Sequence, residues 1–169
     1  MVYETLVQEL ANGQEILVGL LAGISQADAQ VKPNPESRSF LEVISHLFDE
    51  EREDFRQRLD NMLHRPKDPW PPIRPDEWVT ERHYNEQDLA TMIMNFKVER
   101  RKSLDWLRSL DAPDWEADYA TPFGVMKAGD MLSAWVEHDT LHMRQLVELR
   151  HERILGITEP YQVKYAGEW

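Results

Sequence analysis

Six positions between Gly129 and His151 follow one another at alternating spacings of four and three: Met131, Trp135, His138, His142, Gln145 and Leu149. That spacing places all six on one face of one helix, the face turned toward a packed partner. Three of the six are polar. An imidazole or carboxamide buried without a partner costs roughly 1–3 kcal/mol, so a core stripe carrying three of them needs something in the core to use them. Histidines one helical turn apart hold their Cβ atoms about 5–6 Å from each other, close enough for both rings to reach one ion. A divalent metal is one user of such a stripe. Two unconnected core histidines bonded to nearby carbonyls are the other, and spacing alone does not separate the two.

Two histidines leave a metal underligated, and the remaining histidines can be ranked by where they fall. His64 sits at a helix end beside Pro66, His83 lies in a proline-rich stretch, and His151 falls in the last turn of its helix, where a cation complements the dipole. His46 is the best third ligand, because it lies inside a strongly patterned helix. It occupies a shoulder with Val43, Leu47 and Glu50, off the main stripe of Phe40, Ile44, Phe48, Phe55 and Leu59. A bundle helix touches two neighbours, so a shoulder can still face inward. Three neutral imidazoles without a fourth protein ligand describe an open, catalytic type of site. Glu50, one turn after His46, is placed to accept from a ligand ring, to act as general base or to join the ligands. Gln145 and Arg100 are, with Glu50, the candidates for orienting substrate. Arg100 and Ser103 project from the inner face of their helix, although Arg100 serves equally well in an ion pair with a carboxylate at the bundle end.

The chain has no cysteine, which excludes thiolate zinc sites, iron–sulfur clusters, disulfides and cysteine nucleophiles, and leaves imidazole and oxygen as the strong metal ligands. Its 31 acidic against 19 basic residues give a net charge of −12, which disfavours binding to nucleic acid or to an anionic membrane. With no basic leader and no long apolar run, the chain reads as soluble and cytoplasmic. Its 169 residues fit a single domain, 1–169.

Four amphipathic segments position these residues. The first carries Tyr3, Leu6, Leu10, Gly13, Leu17, Leu20 and Ile24, with Gly13 allowing a neighbour to come close. Ser39 followed by Glu42 is a capping box that opens a second helix from about Phe40 to Leu63. Five prolines between Arg65 and Arg82 forbid a regular helix and predict a long surface connection. A third helix, capped by Asn85 with Asp88 at N3, runs to Leu110, and after an irregular stretch from Asp114 to Lys127 the histidine helix begins near Ala128. The tail after Gly156 is aromatic and reads as extended. The acidic run Asp49 to Asp54 reads as a solvated helix face. With no convincing strand, the fold class is all-α, a four-helix bundle with long connecting loops. Carboxylate-bridged di-iron chemistry does not fit, because Val43, Trp135 and Asp139 stand three residues before the histidines where glutamates would be needed. Haem held by His46 and one seam histidine would leave the other seam histidine unexplained.

The helical His46-Leu47 after a proline-rich break, the long loop, and His138-Asp-Thr-Leu-His142-Met-Arg-Gln145-Leu together resemble the DinB-like superfamily of four-helix-bundle metalloproteins, over nearly the whole chain. The resemblance implies a three-histidine site for zinc or nickel on His46, His138 and His142, with water completing the shell, and a homodimer. It also implies a small-molecule substrate and, as in several relatives, a low-molecular-weight thiol such as bacillithiol or mycothiol. Arg38 stands where the family often has tryptophan, and Leu141 where many members carry a further histidine. The expected function is a metal-dependent enzyme, a thiol-dependent S-transferase. A metal-dependent hydrolase and a non-catalytic, metal-stabilised interaction module are the alternatives.

Overall fold

A computed structural model describes residues 2–169. Four long helical rods form the body: α1 (Val2–Leu20), a second rod built from α3 (Phe40–Glu50) and α4 (Arg56–His64), α6 (Leu89–Ser109) and α7 (Ala128–Thr158). Short helices α2 (Gln26–Ala29) and α5 (Pro75–Glu81) lie in the connections. The Ser39 cap forms as its sequence requires: Ser39 Oγ accepts from Glu42 N at 3.1 Å, and Glu42 Oε2 accepts from Ser39 N at 2.9 Å.

Apolar residues collect in two clusters, and each rod contributes to both in a consistent order. One cluster holds Leu17 and Leu21, Phe40 to Leu47, Leu89 to Phe96, and Leu146 with Leu149. The other holds Val7 and Leu10, Phe55 to Met62, Leu104 with Leu107, and Met131 to Trp135. α1 and α7 therefore run one way, and the α3–α4 rod and α6 the other. Two parallel neighbours cannot be joined by a tight turn, which explains the long connection from Arg65 to Asp88.

Between the two clusters every rod presents polar or small residues: Gly13, Glu50 and Glu51, Arg100, and His138 to His142. In this layer Arg100 is fully buried. Its Nε donates to Glu51 at 2.9 Å, NH1 donates to Leu10 O at 2.8 Å and Asp139 Oδ2 at 2.5 Å, and NH2 donates to Asp139 Oδ1 at 2.9 Å. NH2 also lies 2.9 Å from Glu51 Oε2, which accepts from Trp135 Nε1 at 3.1 Å. Both carboxylates hold the guanidinium firmly protonated against the desolvation that opposes it. Gly13 is required here, since a Cβ on it would lie 2.4 Å from Asp139 Oδ2.

Several expectations need correction. The acidic run is not a solvated face: Asp49, Glu50, Glu51 and Asp54 are buried, because cations arrive from other elements or from the next turn. Asp49 meets Arg52 at 2.7 Å and Arg82 at 2.6 Å and accepts from Tyr84 Oη at 2.6 Å; Asp54 pairs with Arg58 at 2.5 Å. Residues Glu51–Phe55 form a π-helical segment inside the rod. Such bulges insert a residue into the turn and recur at functional sites. The proline-rich stretch contains α5, with Pro75 in its first turn, where a missing N–H is harmless. Asp88 rather than Asn85 caps α6, accepting from Thr91 N at 2.8 Å, while Asn85 Oδ1 accepts from Ser39 Oγ at 2.6 Å. The stretch before α7 holds an antiparallel hairpin, β1 (Asp118–Thr121) and β2 (Gly124–Lys127). α7 continues to Thr158, so His151 is not in its last turn; its ring stacks on Trp169 at 4.0 Å. The tail is not wholly extended either, since Lys164–Ala166 form a 3-10 turn.

Removing Arg100 leaves two buried carboxylates without a counter-charge. Arg100→Leu is expected to lower the unfolding free energy by about 3–5 kcal/mol, read by urea or guanidinium titration; an unchanged midpoint would show the layer to be dispensable.

Candidate metal centre

The two histidines paired by spacing and His46, ranked third by its place in a helix, come together. α7 places His138 and His142 one turn apart, with their Nε2 atoms 3.1 Å from each other and ring centroids 4.4 Å apart. α3 delivers His46 from the opposite side, its ring centroid 4.8 Å from that of His142 and 5.5 Å from that of His138. One nitrogen from each ring lies within 4.8 Å of the others. His46 is inward-facing and buried, so the shoulder on which it lies does face a neighbour. His138 and His142 are half-buried at the edge of the layer.

Local bonds set the state of each ring. Gln145 Oε1 lies 2.9 Å from His142 Nδ1, and an amide oxygen can only accept; Nδ1 therefore carries the proton and Nε2 keeps its lone pair. His46 Nδ1 is buried with no hydrogen-bond partner; Glu50 Oε1 is the closest acid, at 3.5 Å. Glu50 Oε2 lies 3.1 Å from His138 Nε2, so this carboxylate sits at the border of the cluster and touches two of its three members. Phe55, from the π-helical segment, packs on His138 at 4.8 Å and on Trp135 at 5.7 Å, closing the apolar side.

Burial is the main cause that depresses the pKa of both His46 and His142, the latter to about 3, and the neighbouring rings and the Arg38 guanidinium push in the same direction. Neutral imidazole is the form that binds a metal. Two nitrogens bound to one tetrahedral ion at 2.0–2.1 Å lie about 3.4 Å apart, so the 3.1 Å spacing of the Nε2 pair suits a shared ion. The orphaned nitrogen, the depressed pKa of two of the rings and the all-imidazole donor set fit a divalent metal.

Gln145 bonds to the His142 ring through its oxygen and also lines a neighbouring cavity. Arg100 does not face a substrate: its five N–H donors all go to Glu51, Asp139 and Leu10 O. It lies in mid-bundle rather than at the end, and the reading of it as a substrate-orienting residue is replaced by a structural one. Ser103 accepts from Arg56 NH1 at 3.1 Å and is likewise occupied. His64 and His83 are surface residues paired with Asp60 and Glu86. The spacing did not reveal Asp139, Glu51 or Asp54, whose pKa burial raises to about 6; a carboxylate directly after His138 and another directly after Glu50 were the available signals.

The depressed pKa of His142 has a sign that can be tested. The unfolded chain binds a proton at this residue below about 6.5, and the folded chain does not until pH falls toward 3, so the unfolded state gains stability throughout that window. Metal-free protein is expected to lose about 1.4 kcal/mol per pH unit from this residue between pH 6 and 4. Denaturation midpoints across that range check it: His142→Gln should flatten the slope, and an unaltered slope would contradict neutral burial.

The profile of the DinB superfamily matches residues 9–146. No curated protein matches the sequence. Among solved structures, YfiT from Bacillus subtilis, described as a probable metal-dependent hydrolase with an unusual four-helix bundle topology, superimposes with a TM-score of 0.78. The match covers 91% of this chain and 87% of that one, at 15% sequence identity, and shows a shared fold. The bundle with its paired and crossed-over rods, the three meeting histidines and the extent of the profile lead to one conclusion: this chain belongs to the DinB superfamily.

Proposed function

We propose that this protein is a divalent-metal-dependent enzyme acting on a small-molecule electrophile, with His46, His138 and His142 as the ligands and a low-molecular-weight thiol as the nucleophile. The observation that carries this reading is the convergence of three imidazoles within 4.8 Å, with Glu50 beside them, in a chain that has no cysteine nucleophile of its own. Zinc or nickel bound there supplies Lewis acidity, which brings the pKa of a thiol or water toward ~7.

The chain's own residues do the rest. Gln145 holds the His142 ring in one tautomer, and Phe55 shields His138 from water on one side. Glu50 Oε2 takes the proton as the thiol sulfur bonds to the electrophilic carbon, and returns it to the departing group as that bond breaks. Water in place of the thiol makes the same layout a hydrolase, a second reading favoured by the likeness to YfiT. Exposed apolar residues at Phe123 and Val125 of the hairpin and at Tyr161, Tyr165 and Trp169 of the tail support a homodimer.

Elemental analysis of untagged protein should find about one divalent metal per chain, lost in His138→Ala and His142→Ala while the helical circular dichroism persists. No metal in the wild type and an unchanged melting curve with chelator would defeat the proposal. Glu50→Gln is expected to keep its metal and lose about a hundredfold in kcat against an electrophile panel. If turnover of the wild type needs added thiol, it is a transferase; if it proceeds in water alone, it is a hydrolase. Sedimentation at micromolar concentration should give a dimer, and a lone monomer species rejects that assembly.

A further inference from the structure

A cavity of about 550 Å³ is linked to the histidines through Gln145, which bonds to His142, and is lined further by Arg38, Glu36, Glu148, Glu152 and Trp169. Its size suits a small organic ligand. Arg38, directly before the α3 cap, differs sharply from Arg100. Its side chain is 22% exposed, and its one ion pair among the described residues is with Asp76 at 3.3 Å, an acid that is 97% exposed. Such a pair contributes at most about 1 kcal/mol. Among the described residues one guanidinium N–H is used, on Asp76, and the rest of the fork is left to the cavity and to solvent. Gln145, whose oxygen is fixed on His142, lines the same cavity, and its amide nitrogen makes no hydrogen bond among the described residues.

The opposite sign is present as well. Glu36 and Glu152 have no cation within ion-pair distance among the described residues, and Glu148 makes only a 3.6 Å contact with Arg144. Three carboxylates against one guanidinium disfavour a dianion such as phosphate. They favour a ligand that carries one negative and one positive group.

We infer that this cavity binds an amphoteric small molecule of the amino acid or short peptide class, with its carboxylate on Arg38 and the Gln145 amide and its ammonium group toward Glu36, Glu148 and Glu152. The inference rests on the proposed three-histidine enzyme in so far as it names that enzyme's substrate or cosubstrate class. Gln145 both lines this cavity and bonds to the His142 ring, which ties the cavity to the histidine cluster.

The test is calorimetric titration of the full chain, as purified and after chelation, with L-alanyl-L-alanine, its C-terminal amide, its N-acetyl derivative and inorganic phosphate. The dipeptide should bind about tenfold more tightly than its amide, the difference expected for a charge-assisted hydrogen-bonded pair. Arg38→Gln, which disturbs only a solvent-exposed ion pair in the fold, should erase that difference while the dipeptide still outcompetes its N-acetyl form. Equal binding of acid and amide, an unchanged ratio in Arg38→Gln, equal binding of the N-acetyl form, preference for phosphate, or no binding at all would each overturn the inference. Metal content measured on the same samples separates the two readings: metal present without dipeptide binding removes this inference alone, and dipeptide binding without metal removes the metalloenzyme.

Discussion

The buried guanidinium of Arg100 is the constraint on which the bundle depends. It bonds to α1 through Leu10 O, to the π-helical segment through Glu51 and to α7 through Asp139, and it is itself carried by α6. Apolar packing is non-directional and tolerates sliding; a five-donor fork with two carboxylates does not. Rods that meet at one such point have their rotation and their axial register fixed together. The residues that follow from this register are the immediate neighbours in sequence: His138 before Asp139, and Glu50 before Glu51. Adjacent residues on a helix point about 100° apart, so fixing Asp139 and Glu51 on the ion layer turns His138 and Glu50 to the histidine cluster.

This arrangement explains why a polar layer is retained in the middle of a bundle that has ample apolar residues on both sides. An ion pair of this kind adds little net stability compared with apolar residues of the same volume, and its value lies in specifying one arrangement. Here the arrangement specified is the three-histidine cluster, whose closest ring nitrogens are held 3.1 Å apart without a cysteine or a disulfide to help. The π-helical turn belongs to the same device, since it brings Glu51 to Arg100 and Phe55 to His138 from one short segment.

Two arginines illustrate how tertiary context divides roles that sequence leaves equal. Arg100 sits on a helix face whose spacing points inward, and Arg38 sits in a loop before a cap. The inward one has every donor taken by the protein, and the loop one, among the described residues, pairs with the exposed Asp76 and lines a cavity that also takes in Gln145.

The sequence by itself determined the four long helices, the Ser39 capping box, the close approach at Gly13 and the inward-facing pair His138 and His142, because each rests on a local period, a cap or a spacing of three and four that one segment carries alone. His46 was legible as an inward shoulder for the same reason. Only the tertiary structure decided what the acidic run does, since Asp49 and Glu51 read as a charged surface until Arg82 and Arg100 are brought to them. The π-helical turn, the α5 helix inside the proline stretch and the hairpin before α7 were likewise hidden, because each is stabilised by contacts or backbone pairing outside the window that periodicity samples. Charge and short-range pattern are properties of a segment; whether a carboxylate is solvated, paired or catalytic depends on which cation the fold delivers to it.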